Sequence, residues 1–316
     1  MTTDRRGFLK TAACSGIGIF AGCGLAPKRT GDVSFSLDAK GKLSLFVPGL
    51  MESSRVFWAS DNHLALYDKR DDTYKGNYAR MAKGPGSTEA FSKMLAKACA
   101  AKADLLALTG DIISFPTFAN VEFVSGELKK SGLDWIYTSG NHDWHFEGVP
   151  GSDAEQRAEW IPKRLTPLYP SDVEPLAYSM VVKGVRFVAI DNSIYHISEA
   201  QLAFWRAEAA KGDPIVLLLH IPLWTEGFGY HTCGCPKWGA AVDDIWQIER
   251  REKWEEGQSA ETFAFREEVL SAPSLVAVLS GHLHRMLCAS VRGKHLFTIP
   301  KCNNGLYWDI SIGPEM

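Results

Sequence analysis

Tyr137-Thr138-Ser139-Gly140-Asn141-His142-Asp143-Trp144 is the stretch from which the rest of the chain can be read. An apolar run, Trp135-Ile136-Tyr137, leads into Gly140-Asn141-His142-Asp143. That is the pattern of a short buried strand that delivers polar residues at its C-terminal end and then turns. In open α/β sheets, ligand sites lie beyond the carboxyl ends of the strands. Four other runs do the same. Val56 to Ser60 runs into Asp61-Asn62-His63, and Leu105 to Thr109 runs into Gly110-Asp111. Ile215 to Leu219 runs into His220, and Leu275 to Ser280 runs into Gly281-His282-Leu283-His284. Five apolar runs thus end in residues of metal-ligating type.

The intervening sequence supplies helices and hairpins. Residues 33–47 alternate around Lys40-Gly41, a β-hairpin pattern, and Tyr178 to Ile190 reads as a second hairpin turning at Lys183-Gly184. Ser87 to Lys102 predicts a helix with Phe91, Met94, Leu95 and Ala98 on one face. Phe118 to Lys130 predicts another, stopped by Gly132. Ser198-Glu199-Ala200-Gln201 is a capping-box pattern opening a helix that stops at Gly212 and Pro214. Ser259 to Leu270 is a further helix ended by Pro273, and residues 285–312 read as three short strands with a turn at Arg292-Gly293. Helix-linked strands lying between hairpins predict an α/β fold with a mixed sheet core. No internal repeat or low-complexity linker divides residues 27–316, so one domain is expected there.

The ordered set Asp-x-His, Gly-Asp, Gly-Asn-His-Asp, His and Gly-His-x-His resembles the calcineurin-like metallophosphoesterase family, over about Arg55 to Arg285. The resemblance implies a four-layer αββα sandwich of two mixed sheets. It also implies a centre of two divalent or trivalent metal ions (Mn, Fe or Zn), which suits imidazole and oxygen ligands. By matching motif, Asp61, His63, Asp111 and His284 would bind one ion; Asp111, Asn141, His220 and His282 would bind the other, with Asp111 as the bridge. A hydroxide held between the ions would attack a phosphate ester in line. In the family His142 stabilises the transition state and protonates the leaving oxygen, and Asp143 is expected to orient His142. Alone, His220 would read as a satisfied strand-end histidine and Asp111 as a turn residue; only the ordered set assigns them.

Two departures bear on the subfamily. Purple acid phosphatases carry a metal-binding Tyr three residues after the bridging Asp, where this chain has Ser114, so a tyrosinate-bound iron is not expected. Ser60-Asp61-Asn62-His63-Leu64 looks more like the class III cyclic-nucleotide phosphodiesterase branch. The expected activity is therefore hydrolysis of a small-molecule phosphodiester. A phosphomonoesterase of phosphatase or nucleotidase type is the alternative. Non-catalytic scaffold members usually lose the His of Asn-His or a ligand, and here Asn141 and His142 are both present.

Between His220 and His282 lies an aromatic-rich insertion, about 222–258, with Trp224, Phe228, Tyr230, Trp238, Trp246 and Trp254. It reads either as aromatics packing the insertion onto the body or as a lid that stacks on substrate, with Trp224 and Tyr230 as candidate contacts. Asn62 and His145 are further candidate substrate contacts. His196, His231 and His295 read as structural or solvated. Of seven cysteines, Cys14 and Cys23 fall near the start; Cys99, Cys233, Cys235, Cys288 and Cys302 cannot all pair within one chain. Cys99 reads as a core thiol, and Cys233 or Cys235 as a partner for Cys288 or Cys302 in an oxidising compartment.

Residues 1–26 read as a targeting segment. Asp4-Arg5-Arg6-Gly7-Phe8-Leu9-Lys10 resembles the twin-arginine export motif, and the weakly apolar Thr11 to Ala21 is too short to span a bilayer. Export through the twin-arginine machinery to the periplasm or another extracytoplasmic location follows. Phe20-Ala21-Gly22-Cys23 resembles a lipoprotein box, which leaves lipid anchoring at Cys23 and cleavage near Ala26 both open. A formal net charge of −3 argues against a nucleic-acid surface or a broad anionic-membrane surface.

Overall fold

The computed structural model describes residues 32–314 apart from 39, 83 and 224–258. The chain opens with the expected hairpin, β1 (Ser34–Leu37) and β2 (Lys42–Phe46), in which Leu43 and Leu45 point inward. β3 (Ser54–Ala59) follows, then a 3-10 turn and a short helix α1 (Lys75–Met81). Helix α2 (Thr88–Ala100) starts where the Ser87 side chain accepts from the Ala90 amide, and it buries Phe91, Met94, Leu95 and Ala98. That i, i+3, i+4, i+7 spacing is one face of a 3.6-residue helix. β4 (Leu105–Leu108) leads to α3 (Phe118–Ser131), which ends at Gly132 in the left-handed conformation, φ 67°. β5 (Trp135–Tyr137) is the short strand that leads into Gly140-Asn141-His142-Asp143.

The second half repeats this logic. Helix α4 (Asp153–Trp160) runs into one π turn and one 3-10 turn. β6 (Ala177–Val182) and β7 (Val185–Ile190) pair across Lys183 and Gly184, both at positive φ, the twist that suits a two-residue hairpin. Helix α5 (Glu199–Ala209) carries the capping box between Ser198 and Gln201. β8 (Ile215–Leu219) precedes α6 (Ala260–Ser271), followed by β9 (Leu275–Ser280), β10 (Leu287–Val291), β11 (Lys294–Thr298) and β12 (Trp308–Gly313).

These strands form two six-stranded mixed sheets, ordered β1-β2-β12-β3-β4-β5 and β10-β11-β9-β8-β7-β6. In the first, β3, β4 and β5 are parallel while β12 runs antiparallel to β3; in the second, β7, β8, β9 and β11 are parallel and β6 and β10 antiparallel. Strand β8 shows why the sheets stack. Val216 and Leu218 face the core shared with the first sheet, whereas Ile215, Leu217 and Leu219 face Leu202, Trp205, Phe265 and Val269 of α5 and α6. A strand buried on both faces has no polar side to show, so it reads as a continuous apolar run. Each such side chain contributes roughly 1.5–3 kcal/mol on burial. The architecture is the αββα sandwich, and it brings the C-terminal ends of β3, β4, β5, β8 and β9 to one end of the molecule.

Helix α4 was not legible in the sequence. Its buried residues are Gln156, Arg157 and Trp160, so the buried face carries no apolar stripe. The capping box of Ser152 and Glu155, present in the structure, was the remaining signal.

Candidate metal centre

Five of the seven ligand candidates leave a strand end in an unusual backbone conformation. Among the described non-glycine residues, ten have positive φ, and five of them are Asp61, His63, Asp111, His282 and His284, at φ 50–67°. The left-handed region costs an L-residue about 1–2 kcal/mol. It persists where surrounding bonds hold it, as it does at functional sites. Here the Asp61 amide donates to the Gly110 carbonyl at 2.9 Å and the His63 amide to the Asp111 carbonyl at 2.9 Å. The Asp111 amide donates to Asp143 Oδ2 at 2.8 Å. The His282 amide donates to both oxygens of Asp61, at 3.1 and 3.0 Å.

The side chains converge in two groups, Asp61 with His63 and His284, and Asp111 with His220 and His282; within each, one donor atom per residue lies within 4.8 Å of the others. Asp111 joins the groups. Its Oδ2 lies 3.3 Å from His220 Nε2 and 3.8 Å from His63 Nε2. Asn141 Oδ1 lies 3.1 Å from both His220 Nε2 and His282 Nδ1, and so belongs with the second group. Asp61 Oδ1 is 3.1 Å from His284 Nε2, and His63 Nε2 is 3.1 Å from His284 Nε2. A Cβ at residue 140 would sit 2.2 Å from Asp111 Oδ1, so glycine there makes room for the carboxylate between the groups.

The donor set fits two cations. His220 Nδ1 donates to the Thr109 carbonyl at 2.7 Å, which turns Nε2 and its lone pair toward Asp111. Burial opposes a charge on His220, but the Asp111 carboxylate outweighs it and pushes the pKa up to about 9. Asp111 Oδ2 and His220 Nε2, facing each other at 3.3 Å, are oxygen and imidazole donors of the kind a divalent cation takes. Burial would raise Asp111, yet His220, His142 and His63 together hold it well below the usual carboxylate range. Burial brings His63 down to about 3, leaving a neutral ring with a lone pair to offer.

The remaining candidates divide. His142 lies beside the first group, its ring 5.0 Å from that of His63 and edge-on, and its amide donates to Asp111 Oδ1 at 2.8 Å. Its Nδ1 is buried without a hydrogen-bond partner among the described residues. The expectation that Asp143 orients this ring is corrected. The Asp143 carboxylate instead accepts from the amides of Gly140, Asp111 and Ile113, at 2.7, 2.8 and 3.0 Å, and so shapes the backbone of two ligand loops. The expectation that Asn62 faces substrate is also corrected: Asn62 is buried, and its Nδ2 donates to the Cys302 carbonyl at 3.0 Å. His145 does lie at the centre, with Nδ1 2.5 Å from the Asn141 carbonyl and its ring 5.8 Å from His142; burial holds its pKa down to about 4. Trp224, Tyr230, His231, Cys233 and Cys235 lie outside the described residues, as do the targeting segment and nearly all of the insertion. Cys302 is buried, with its thiol donating to the Pro300 carbonyl at 3.2 Å, and Cys288 is exposed on β10. His295 is a structural histidine, its Nε2 donating to the Val33 carbonyl at 2.8 Å.

One ligand-end signal went unread in the sequence. Val185 to Ile190 is a sixth apolar strand, and it runs into Asp191-Asn192-Ser193, all buried. Asp191 pairs with the buried Arg157 at 3.0 Å. The next turn brings Tyr195, also at positive φ, edge-on to His282 with ring centroids 5.9 Å apart.

The sequence model of the calcineurin-like phosphoesterase family matches residues 54–286. Curated proteins offer no significant sequence match. Solved structures that resemble the chain include a dimetal phosphatase from Danio rerio, at 13% identity and TM-score 0.49, covering 78% of this chain and 87% of that one. A purple acid phosphatase from yellow lupin (Lupinus luteus) seeds follows at 13% identity and TM-score 0.46, covering 87% of this chain and 48% of that one. A phosphopantetheinyl hydrolase from Mycobacterium tuberculosis stands at 11% and 0.39, covering 81% and 95%. At such identities and scores these likenesses say nothing about substrate.

Proposed function

The chain belongs to the calcineurin-like phosphoesterase family, and from that premise we propose that it is a two-metal hydrolase of a small-molecule phosphodiester. The observation that carries the reading is the Asp111 carboxylate standing between two three-residue groups, Asp61-His63-His284 and Asp111-His220-His282. Asn141 completes the second group. When bound, the two ions, manganese, iron or zinc, would polarise the phosphoryl oxygens and lower the pKa of water at the site.

The chain's own residues supply the rest. His220 presents Nε2 because Nδ1 is held by Thr109, and Asp143 holds the Gly140 and Asp111 loops in place through their amides. His142, beside His63 and belonging to neither group, returns a proton to the leaving oxygen. Burial lowers its pKa, which makes the protonated ring a stronger acid. The diester assignment rests on Ser60-Asp61-Asn62-His63-Leu64. Manganese-loaded protein should hydrolyse bis-p-nitrophenyl phosphate faster than p-nitrophenyl phosphate, with His142→Ala as the blank. His142→Ala should lose about 10²–10⁴-fold in rate, the usual worth of a positioned proton donor, and keep its metal content. A preference for the monoester would replace the diester reading with a phosphomonoesterase; activity on neither would overturn it.

The same proposal includes export by the twin-arginine route, supported by Arg5-Arg6 and the short apolar stretch after them. Mass spectrometry of exported protein should find a terminus near Ala26 or a lipidated Cys23. An intact Met1 terminus would refute export with cleavage.

A further inference from the structure

We infer that Asp191-Asn192-Ser193, the tripeptide beyond β7, is a brace that sets the second metal group and not the first. The inference rests on the two-metal reading above. Asn192 grips the backbone at His220: its Oδ1 accepts from the His220 and Ile221 amides at 3.2 and 3.0 Å, and its Nδ2 donates to the Ile221 carbonyl at 2.6 Å. Asp191 and Ser193 grip the loop that carries Asn141, one on each side of it. Ser139 Oγ donates to Asp191 Oδ2, and Trp144 Nε1 donates to Ser193 Oγ at 2.8 Å. The grip is itself anchored. Asp191 Oδ1 accepts from the Ser193 amide and hydroxyl at 2.9 and 2.5 Å and pairs with Arg157 Nη1 at 3.0 Å. Gln201 Nε2 donates to the Asp191 carbonyl at 2.6 Å.

Asn141 comes from the first sheet and His220 from the second, so no single sheet ladder fixes their separation. One tripeptide does, by bonding to both loops at once. All three residues are buried, Asp191 and Ser193 completely, so these bonds form away from competing water. Asn192, Asp191 and Ser193 are positioning residues: they act on the ions only through Asn141 and His220. Groups that orient metal ligands in this way are typically worth about 10–100-fold in metal affinity.

The test titrates the metal-free full chain with Mn²⁺ and follows bound ions by electron paramagnetic resonance and elemental analysis. Wild type should bind two ions as a coupled pair. Asn192→Ala should keep one ion near wild-type affinity and bind the other about 10–100-fold more weakly, giving a mononuclear spectrum at low loading. In that background His220→Ala should weaken the second ion further and leave the first near wild-type affinity, while His284→Ala should weaken the first. Leu128→Ala, a cavity in α3 on the far side of the first sheet, should lower the melting temperature without altering either affinity. If Asn192→Ala does not fold, Ser193→Ala carries the same test from the Trp144 side. Two ions bound by the folded variant as in wild type, or both weakened alike, would overturn the brace. Fewer than two ions on wild type would instead overturn the two-metal reading, and the brace with it.

Discussion

Replacing Gly281 with alanine tests whether the close approach of the two sheets is what shapes the first metal group. The backbone at Gly281 does not require positive φ, so any effect comes from space. An added Cβ would lie 1.9 Å from Ser60 Oγ and 2.5 Å from Asp61 Oδ2. Neither atom can retreat cheaply. Ser60 Oγ donates to the Thr109 carbonyl at 2.9 Å, and the Asp61 carboxylate accepts from the His282 amide. Overpacking a filled interior costs about 1–3 kcal/mol. Losing a hydrogen bond to a charged group adds about 1.5–3 kcal/mol. The sum is about 4 kcal/mol, which at about 2–4 °C per kcal/mol lowers the melting temperature by about 8–16 °C. Gly126, exposed inside α3 with nothing within 4 Å of an added Cβ, is the opposite case. Gly126→Ala should stabilise by about 1 kcal/mol, a rise of about 2–4 °C. Both melts are run with a chelator so that metal binding does not contribute, and metal content is measured separately. A Gly281→Ala protein that melts within about 2 °C of wild type and retains two ions would refute the reasoning.

Three further outcomes are expected. Adding Mn²⁺ to metal-free protein at pH 8 in weak buffer should release about one proton per chain, because His220 holds its proton up to about 9 until an ion replaces it; no release would contradict that protonation state. Ser198→Ala removes the hydroxyl that accepts from the Gln201 amide in the α5 capping box, leaves the Ser198 amide on Gln201 Oε1, and should cost about 1 kcal/mol, read as a lowered denaturant midpoint with unchanged slope. Burial lowers the pKa of His295, so its contribution to stability is complete above the unfolded value near 6.5 and falls away as pH drops below it. The stability difference between wild type and His295→Gln should therefore shrink from pH 8 to pH 5, and a constant difference would show that His295 does not titrate differently on folding.

The local elements were legible because their causes are local. Ser87, Thr117, Ser198 and Ser259 cap helices through their own side chains, and Gly132 ends α3 by taking a conformation other residues resist. The polar-faced helix α4 is not legible for the same reason: its buried Arg157 is satisfied by Asp191, 34 residues away, and nothing near it in the chain announces that partner.

The sequence alone determined the five ligand-bearing strand ends and, through their order, the family. Period-2 and period-3.6 patterns are set by which neighbours a residue has within a few positions, and metal-ligand types stand out after an apolar run. Only the tertiary structure decided what Asn62 and Asp143 do. Both sit inside the motifs, yet one holds the Cys302 carbonyl and the other three backbone amides, because packing two sheets together brings each beside backbone groups far away in the chain. The structure also decided that Asp191-Asn192-Ser193 belongs with the site, since the distance between Asn141 and His220 is a property of two sheets meeting and is written in neither strand.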